Sequence, residues 1–311
     1  MKNSKLWMVA GLALLAACSK KESVTNVTPV DPPHTTNRAM VLDYQPAPGQ
    51  FINQAPEWVA GNSDQDLIAK AQTSLDNNNF VCLGGYGGYI VLGMQYAIPN
   101  VDDQYSFLVK GNAFTNWAEP GIILVSADTN NNGKPDDEWY EIAGSEYNSS
   151  KTIRNYQITY FKPDEKKIAT PSKTDNNLSD TTYIRWKDNI GRSGYLSKNI
   201  YHSQSYYPQW KGDSITFTGS LLSAENVKDL SGTGVNWVSP ALSFGYADNW
   251  ANDNDNAKIK ISWAVDKSGK KVNLKNIKFI KVYTGMRAEA GWLGEVSTEV
   301  TGVTDLTLKQ Q

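Results

Sequence analysis

Cysteine and histidine are nearly absent. The 311 residues include two of each, Cys18 and Cys82, His34 and His202. Zinc sites, haem ligation, Cys/His hydrolysis and a disulfide framework all need more of these side chains. An excess of one charge is missing too. Thirty basic residues face 32 acidic ones, for a net charge of −2, so no basic field invites nucleic acid. Phosphate-binding signatures are also lacking: there is no Walker A motif and no dinucleotide fingerprint. Gly191-Arg192-Ser193-Gly194 lacks the glycine spacing of a nucleophile elbow. Apart from Leu6 to Leu15, no apolar run approaches the about 20 residues of a membrane-spanning helix.

That one run reads as an address. Lys2 and Lys5 precede it, and it is about ten residues long, as in a signal peptide. Leu15-Ala16-Ala17-Cys18 follows and resembles a bacterial lipobox, which implies removal of residues 1–17 and lipidation of Cys18. The removed segment holds two lysines and no acid, so the mature charge is expected to fall from −2 to −4. Residues 18–40 are rich in Ser, Thr and Pro and read as a flexible tether that includes His34. Residues 41–311 are expected to form one domain, soluble but held at the membrane by lipid.

What the chain has in quantity is tryptophan and tyrosine, 10 and 16 against 8 phenylalanines. Aromatics with a polar handle suit a sheet protein or a binding surface. One helix is expected after Asn62. Ser63 is its N-cap, Asp66 stands at N3 as in a capping box, and Leu67, Ile68, Ala71 and Leu75 share a face. Beyond it the period is mostly two. Strands are expected at 89–96, 105–110, 121–127, 138–142, 153–161, 182–187, 214–221, 258–265, 277–284 and 296–308. Spaced strands, one helix and long loops at 162–181, 187–213 and 223–257 point to an all-β fold, an antiparallel β-sandwich of jelly-roll type. Cys82, in the apolar run Phe80-Val81-Cys82-Leu83, is expected to be a buried, inert thiol.

The sharpest local pattern is Asp128-Thr-Asn130-Asn-Asn132-Gly-Lys134-Pro-Asp136-Asp-Glu138. Oxygen-bearing side chains recur at every second residue, and Gly133 permits a sharp turn. Ca2+ takes six to eight oxygens in such a cage, here from Asp128, Asn130, Asn132, the Lys134 carbonyl, Asp136 and Glu138. Position twelve is Trp139 rather than glutamate, so the match to an EF-hand loop is partial. A plain Asn/Gly turn is the competing reading. Asp248 to Asn256 is oxygen-rich as well but contains no glycine.

Ring-bearing residues in loop contexts are the candidates for ligand contact: Trp117, Tyr206, Tyr207, Trp210 and Trp250. A flat ring on a loop stacks on a sugar or another planar ligand, whereas the same rings beneath a loop only fill a small core. Glycoside cleavage needs two carboxylates about 5 to 9 Å apart. Glu119, Glu141, Glu146, Glu289, Glu295 and Glu299 offer many pairings, and nothing in the sequence selects one.

Several motifs together are distinctive. They are Leu83-Gly-Gly-Tyr-Gly-Gly-Tyr-Ile-Val-Leu-Gly93, Val109-Lys-Gly-Asn-Ala-Phe114, Glu119-Pro-Gly-Ile122 and Pro135-Asp-Asp-Glu-Trp-Tyr-Glu-Ile-Ala-Gly-Ser-Glu-Tyr147. Ser205-Tyr-Tyr-Pro-Gln-Trp210, Gly245-Tyr-Ala-Asp-Asn249, Phe279-Ile-Lys-Val-Tyr-Thr-Gly285 and Gly294-Glu-Val-Ser-Thr-Glu-Val300 complete the set. Over about residues 41–305 the chain resembles the "cell surface protein" lipoproteins of Bacteroidota-type bacteria, some of which carry an added PKD-type module. The resemblance implies an outer-membrane lipoprotein on the cell surface, working beside a TonB-dependent transporter in glycan or corrinoid uptake. It supplies no catalytic residues. The expectation is therefore a non-catalytic protein that binds a glycan or corrinoid, with a calcium-braced loop. The alternatives are an adhesive protein that binds another protein, and a glycan hydrolase or lyase.

Overall fold

In the computed structural model, which describes residues 34–308, the strand Gly121–Ser126 is apolar on both faces. Successive side chains of a strand point to opposite sides. Ile123 and Val125 therefore enter one hydrophobic cluster, while Ile122 and Leu124 face a second. The expected signal peptide at 1–17, the expected lipidation site Cys18 and the stretch read as tether up to residue 33 lie outside the described residues.

This strand belongs to a six-stranded antiparallel sheet. Its order is Ala39–Gln45, Tyr89–Pro99, Asn276–Thr284, Gly121–Ser126, Tyr140–Ile142 and Ala264–Val265. One face is covered by the helix Asp64–Asp76 and by a three-stranded sheet of Lys258–Ile259, Phe107–Lys110 and Gly302–Asp305. The other face packs against a four-stranded antiparallel sheet ordered Ser214–Leu221, Ile153–Phe161, Leu178–Asp188 and Ser193–Asn199. The protein is thus predominantly β, with one α-helix and several antiparallel sheets.

The helix forms where its caps and apolar stripe predict. The Ser63 N–H donates to Asp66 Oδ2 at 2.7 Å, and the Asp66 N–H donates back to Ser63 Oγ. Leu67, Ala71 and Leu75 are its buried face. Asn78, in the left-handed region at φ 56°, ends it.

Two expected long strands are divided. Residues 258–265 break into Lys258–Ile259, a 3-10 turn at Ile261–Trp263, and Ala264–Val265. The halves serve different sheets: the first pairs with Phe107–Lys110 and the second with Tyr140–Ile142. Residues 296–308 likewise split into Glu299–Val300, paired with Val81–Cys82, and Gly302–Asp305. The strand Ala39–Gln45 begins inside the stretch read as tether, and Ser193–Asn199 lies inside a stretch read as loop. Cys82 is a free, fully buried thiol; burial, then the neighbouring Glu299 and Glu295, push its pKa well up.

Candidate active or binding site, a carboxyl-floored aromatic cavity

Residues 293–299 trace an extended path in which every second side chain turns to one side. Leu293, Glu295, Ser297 and Glu299 line a cavity of about 670 Å³, while Val296 and Val300 enter the two hydrophobic clusters. The opposite wall comes from residues 112–119, which contribute Asn112, Phe114, Trp117 and Glu119. Gln50, Phe51, Phe80, Asn199, Tyr201, His202, Trp237 and Trp292 complete the lining. Seven of these sixteen residues are Phe, Tyr or Trp, and none is lysine or arginine. Phe114 is 64 % exposed and stands at the rim.

The walls are held by polar contacts beneath the rings. Asn199 Nδ2 donates to Gln50 Oε1 at 2.9 Å and to the Trp292 carbonyl at 3.1 Å. Asn199 Oδ1 accepts from the Tyr201 and His202 N–H groups at 3.0 Å. Tyr201 and Trp292 lie 5.5 Å apart, and the Phe51 ring meets His202 edge-on at 4.9 Å. Phe114 and Trp117 exchange backbone hydrogen bonds, so a tight hairpin presents both rings.

The floor is acidic and dry. Asp248 is buried behind the lining, and its carboxylate accepts from the Asn112, Ala113 and Glu299 N–H groups, each at 2.8 Å. The approach is that close because residue 111 is glycine: a Cβ there would collide with the Asp248 carboxylate. Glu119 Oε1 accepts from the Ser297 N–H at 3.0 Å, and its backbone carbonyl accepts from Thr298 Oγ1. Glu295 Oε1 accepts from the Gln50 N–H at 2.8 Å, beside Gly49, where a Cβ would likewise collide.

Burial controls the protonation of these groups. It lifts Glu295 to about 8, with the neighbouring Glu119 and Glu289 adding to the rise. Glu299 is raised by burial and then by the Asp248 charge, and Glu119 is driven well up by burial, Glu299 and Asp248. Burial also raises Asp248, to about 6, against the pull of its three backbone donors. Burial lowers His202, so its imidazole is neutral there. The second oxygens of Glu295 and Glu299 are buried and have no hydrogen-bond partner. Glu119, Asp248 and Glu299 lie within 4.8 Å of one another and are, among the described residues, the acids close enough to hold a metal ion together.

Of the ring residues expected to contact a ligand, Trp117 lines this cavity. Tyr206 and Tyr207 are fully buried in the cluster between the two large sheets, where Tyr206 meets Tyr183 edge-on and the Tyr207 hydroxyl donates to the Gly212 carbonyl. Trp210 packs against the other cluster. Trp250 donates its indole N–H to the Leu242 carbonyl at 2.7 Å. The acidic loop lies elsewhere and folds onto itself. Asp128 accepts from the Asn132 and Gly133 N–H groups, Asn130 Oδ1 from the Asn132 N–H, and Asn132 Oδ1 from the Lys134 N–H. Asp136 accepts from the Asn130 and Asn132 amides, and Glu138 from the Tyr140 hydroxyl.

Three of the six glutamates that the sequence left unselected, Glu119, Glu295 and Glu299, are the ones gathered here. The readable signal was their alternation: Glu295, Ser297 and Glu299 stand at period two between apolar or Thr positions. A second concavity, of about 800 Å³, lies between the central and four-stranded sheets and is polar, with Arg154, Glu141, Lys281, Thr216 and Thr218 among its walls. No family model matches the chain, and no curated protein matches its sequence.

Proposed function

We propose that this chain is a non-catalytic capture protein, exported as an outer-membrane lipoprotein, that binds a saccharide in the aromatic cavity for uptake through a TonB-dependent transporter. The observation that carries the reading is the composition of that cavity: seven rings around a floor of buried carboxyls with unfilled hydrogen-bonding capacity. Ring faces stack on the apolar faces of sugars, and a few fixed polar groups orient the hydroxyls. A volume of about 670 Å³ falls within the range of small-ligand sites. The lipobox resemblance supplies the membrane anchor, and a jelly-roll order of the antiparallel sheets is part of the same proposal.

The test is calorimetry on the full-length protein against a panel of oligosaccharides, with cobalamin as the corrinoid arm. The expected result is saccharide binding that Trp292→Ala and Trp117→Ala weaken at least tenfold while the melting temperature holds. Binding of cobalamin alone would transfer the reading to corrinoids, and no binding in either arm overturns it. A second reading rests on Glu295, whose carboxyl stays protonated near neutral pH and is thereby suited to general-acid work on a glycosidic bond. It predicts new reducing ends from a bound oligosaccharide and their loss in Glu295→Gln.

A further inference from the structure

We infer that the group recognised in this cavity is a positively charged amine, because its ring faces and carboxyl floor are matched to a cation and its lining holds none. The inference rests on the capture reading above and narrows its ligand. The negative face of an aromatic ring attracts ammonium groups, and Trp117, Tyr201, Trp237 and Trp292 provide such faces. Beneath them Glu295 and Glu299 are 5 % and 4 % exposed, and one oxygen of each accepts no hydrogen bond. A buried acceptor without a donor is costly, and an ammonium supplies donors together with the compensating charge.

The cavity lining supplies no lysine or arginine to these carboxyls. Glu295 faces the Gln50 N–H, Glu119 and Glu289. Glu299 faces Glu119, Asp248, Cys82, Ser297 and Tyr44. Arg287 lies over the Trp186 ring and lines a separate, smaller cleft that Glu295 also borders. His202, on the wall, is neutral. An ammonium seated among the rings reaches the unpartnered carboxyl oxygens of Glu295 and Glu299 and pairs with them out of contact with bulk water. A neutral saccharide uses the same rings but offers no charge.

Two matched pairs of probes separate charge from shape. Glucosamine oligosaccharides carry an ammonium where their N-acetylated counterparts carry a neutral, bulkier acetamide, while choline and 3,3-dimethylbutan-1-ol differ in charge at nearly the same shape. On the full-length protein at pH 7 the charged member of each pair is expected to bind about tenfold or more tightly, and choline affinity to rise from pH 5 to pH 8. Choline, whose quaternary nitrogen has no N–H, binding as tightly as the glucosamine oligosaccharides would assign recognition to charge and aromatic faces alone; weaker choline binding would assign it to the N–H donors and the sugar ring as well. Glu295→Gln and Glu299→Gln should each cost the charged probes about ten- to a hundredfold. The neutral probes should change by less than about threefold, and the near-UV spectrum should stay intact. Equal or tighter binding of the neutral members overturns the inference and leaves saccharide capture standing. Failure of all four probes overturns the inference, and the oligosaccharide panel then decides the capture reading separately.

Discussion

Residues 128–138 and the set Glu119, Asp248, Glu295 and Glu299 use the same chemistry in opposite settings. The loop is contiguous and largely exposed, and its oxygens are filled by N–H groups a few residues away. Water screens what remains, and hydrogen bonds from the Asn132 and Asn130 amides hold Asp136 below the usual carboxylate range. The buried set comes from three separate stretches of chain and is cut off from water. There the carboxyls are raised, two of their oxygens lack partners, and an aromatic cavity opens above them. Local density of acids in a sequence thus marks a turn that satisfies itself. Acids assembled by the fold at a desolvated point carry unspent capacity to bind.

The largest expected contrast is in stability. Asp248 is the buried carboxyl on which the Asn112, Ala113 and Glu299 N–H groups converge. Asp248→Ala leaves one buried and two partly buried N–H donors without their acceptor and should cost about 3–5 kcal/mol by urea denaturation. Asp248→Asn retains one acceptor oxygen and should lose less. Asp128→Ala, in the exposed loop, frees two backbone donors that water can reach and should cost about 1 kcal/mol or less. Comparable losses at the two positions would break the contrast between buried and exposed acids.

A pH titration sharpens it further. Glu295 ionises at its ordinary 4.5 in the unfolded chain and at about 8 when folded. Between those values the folded state holds a proton that the unfolded state has released. Its contribution to stability is therefore complete below pH 4.5 and declines by about 1.4 kcal/mol per pH unit until the folded group ionises. The lowered surface acids, Asp136, Asp229 and Asp266 among them, titrate below this window and have the opposite sign. Denaturation midpoints from pH 5 to 8 should fall with pH, and Glu295→Gln should flatten the slope by about one proton. An unchanged slope in that variant would place the titration on another group.

The helix and the long strands were legible because they are local. Capping at Ser63 and Asp66 and the alternation of residues 153–161 and 214–221 need no information from elsewhere in the chain. The short strands were not legible. At Lys258–Ile259 and Ala264–Val265 the partner sheet changes within a few residues, which a window of hydrophobic periodicity cannot register. Among the aromatics, loop position was a poor guide: Tyr206 and Tyr207 lie in loop-like sequence yet close the second core, whereas Trp292 and Trp237 reach the cavity. The glutamates were visible one by one, but their convergence depends on Gly49 and Gly111, which admit carboxylates where a side chain would stand.

The smallest expected effect concerns calcium. To occupy the loop, the ion must displace the N–H groups that now hold Asp128, Asn130 and Asn132, so its net gain is small. Extracellular calcium modules bind with Kd of about 10⁻⁴–10⁻³ M, which at 1 mM Ca2+ amounts to about 0.4–1.4 kcal/mol of added stability. For a domain of this size that is a rise in Tm on the order of 1–4 °C over a chelator control. Asp128→Ala should abolish the rise, and Glu299→Gln should leave it in place. The reverse result would move the ion to Glu119, Asp248 and Glu299, whose oxygens lie within 4.8 Å of one another. Calcium would then compete with the amine, because both would require the same carboxyls to give up their protons.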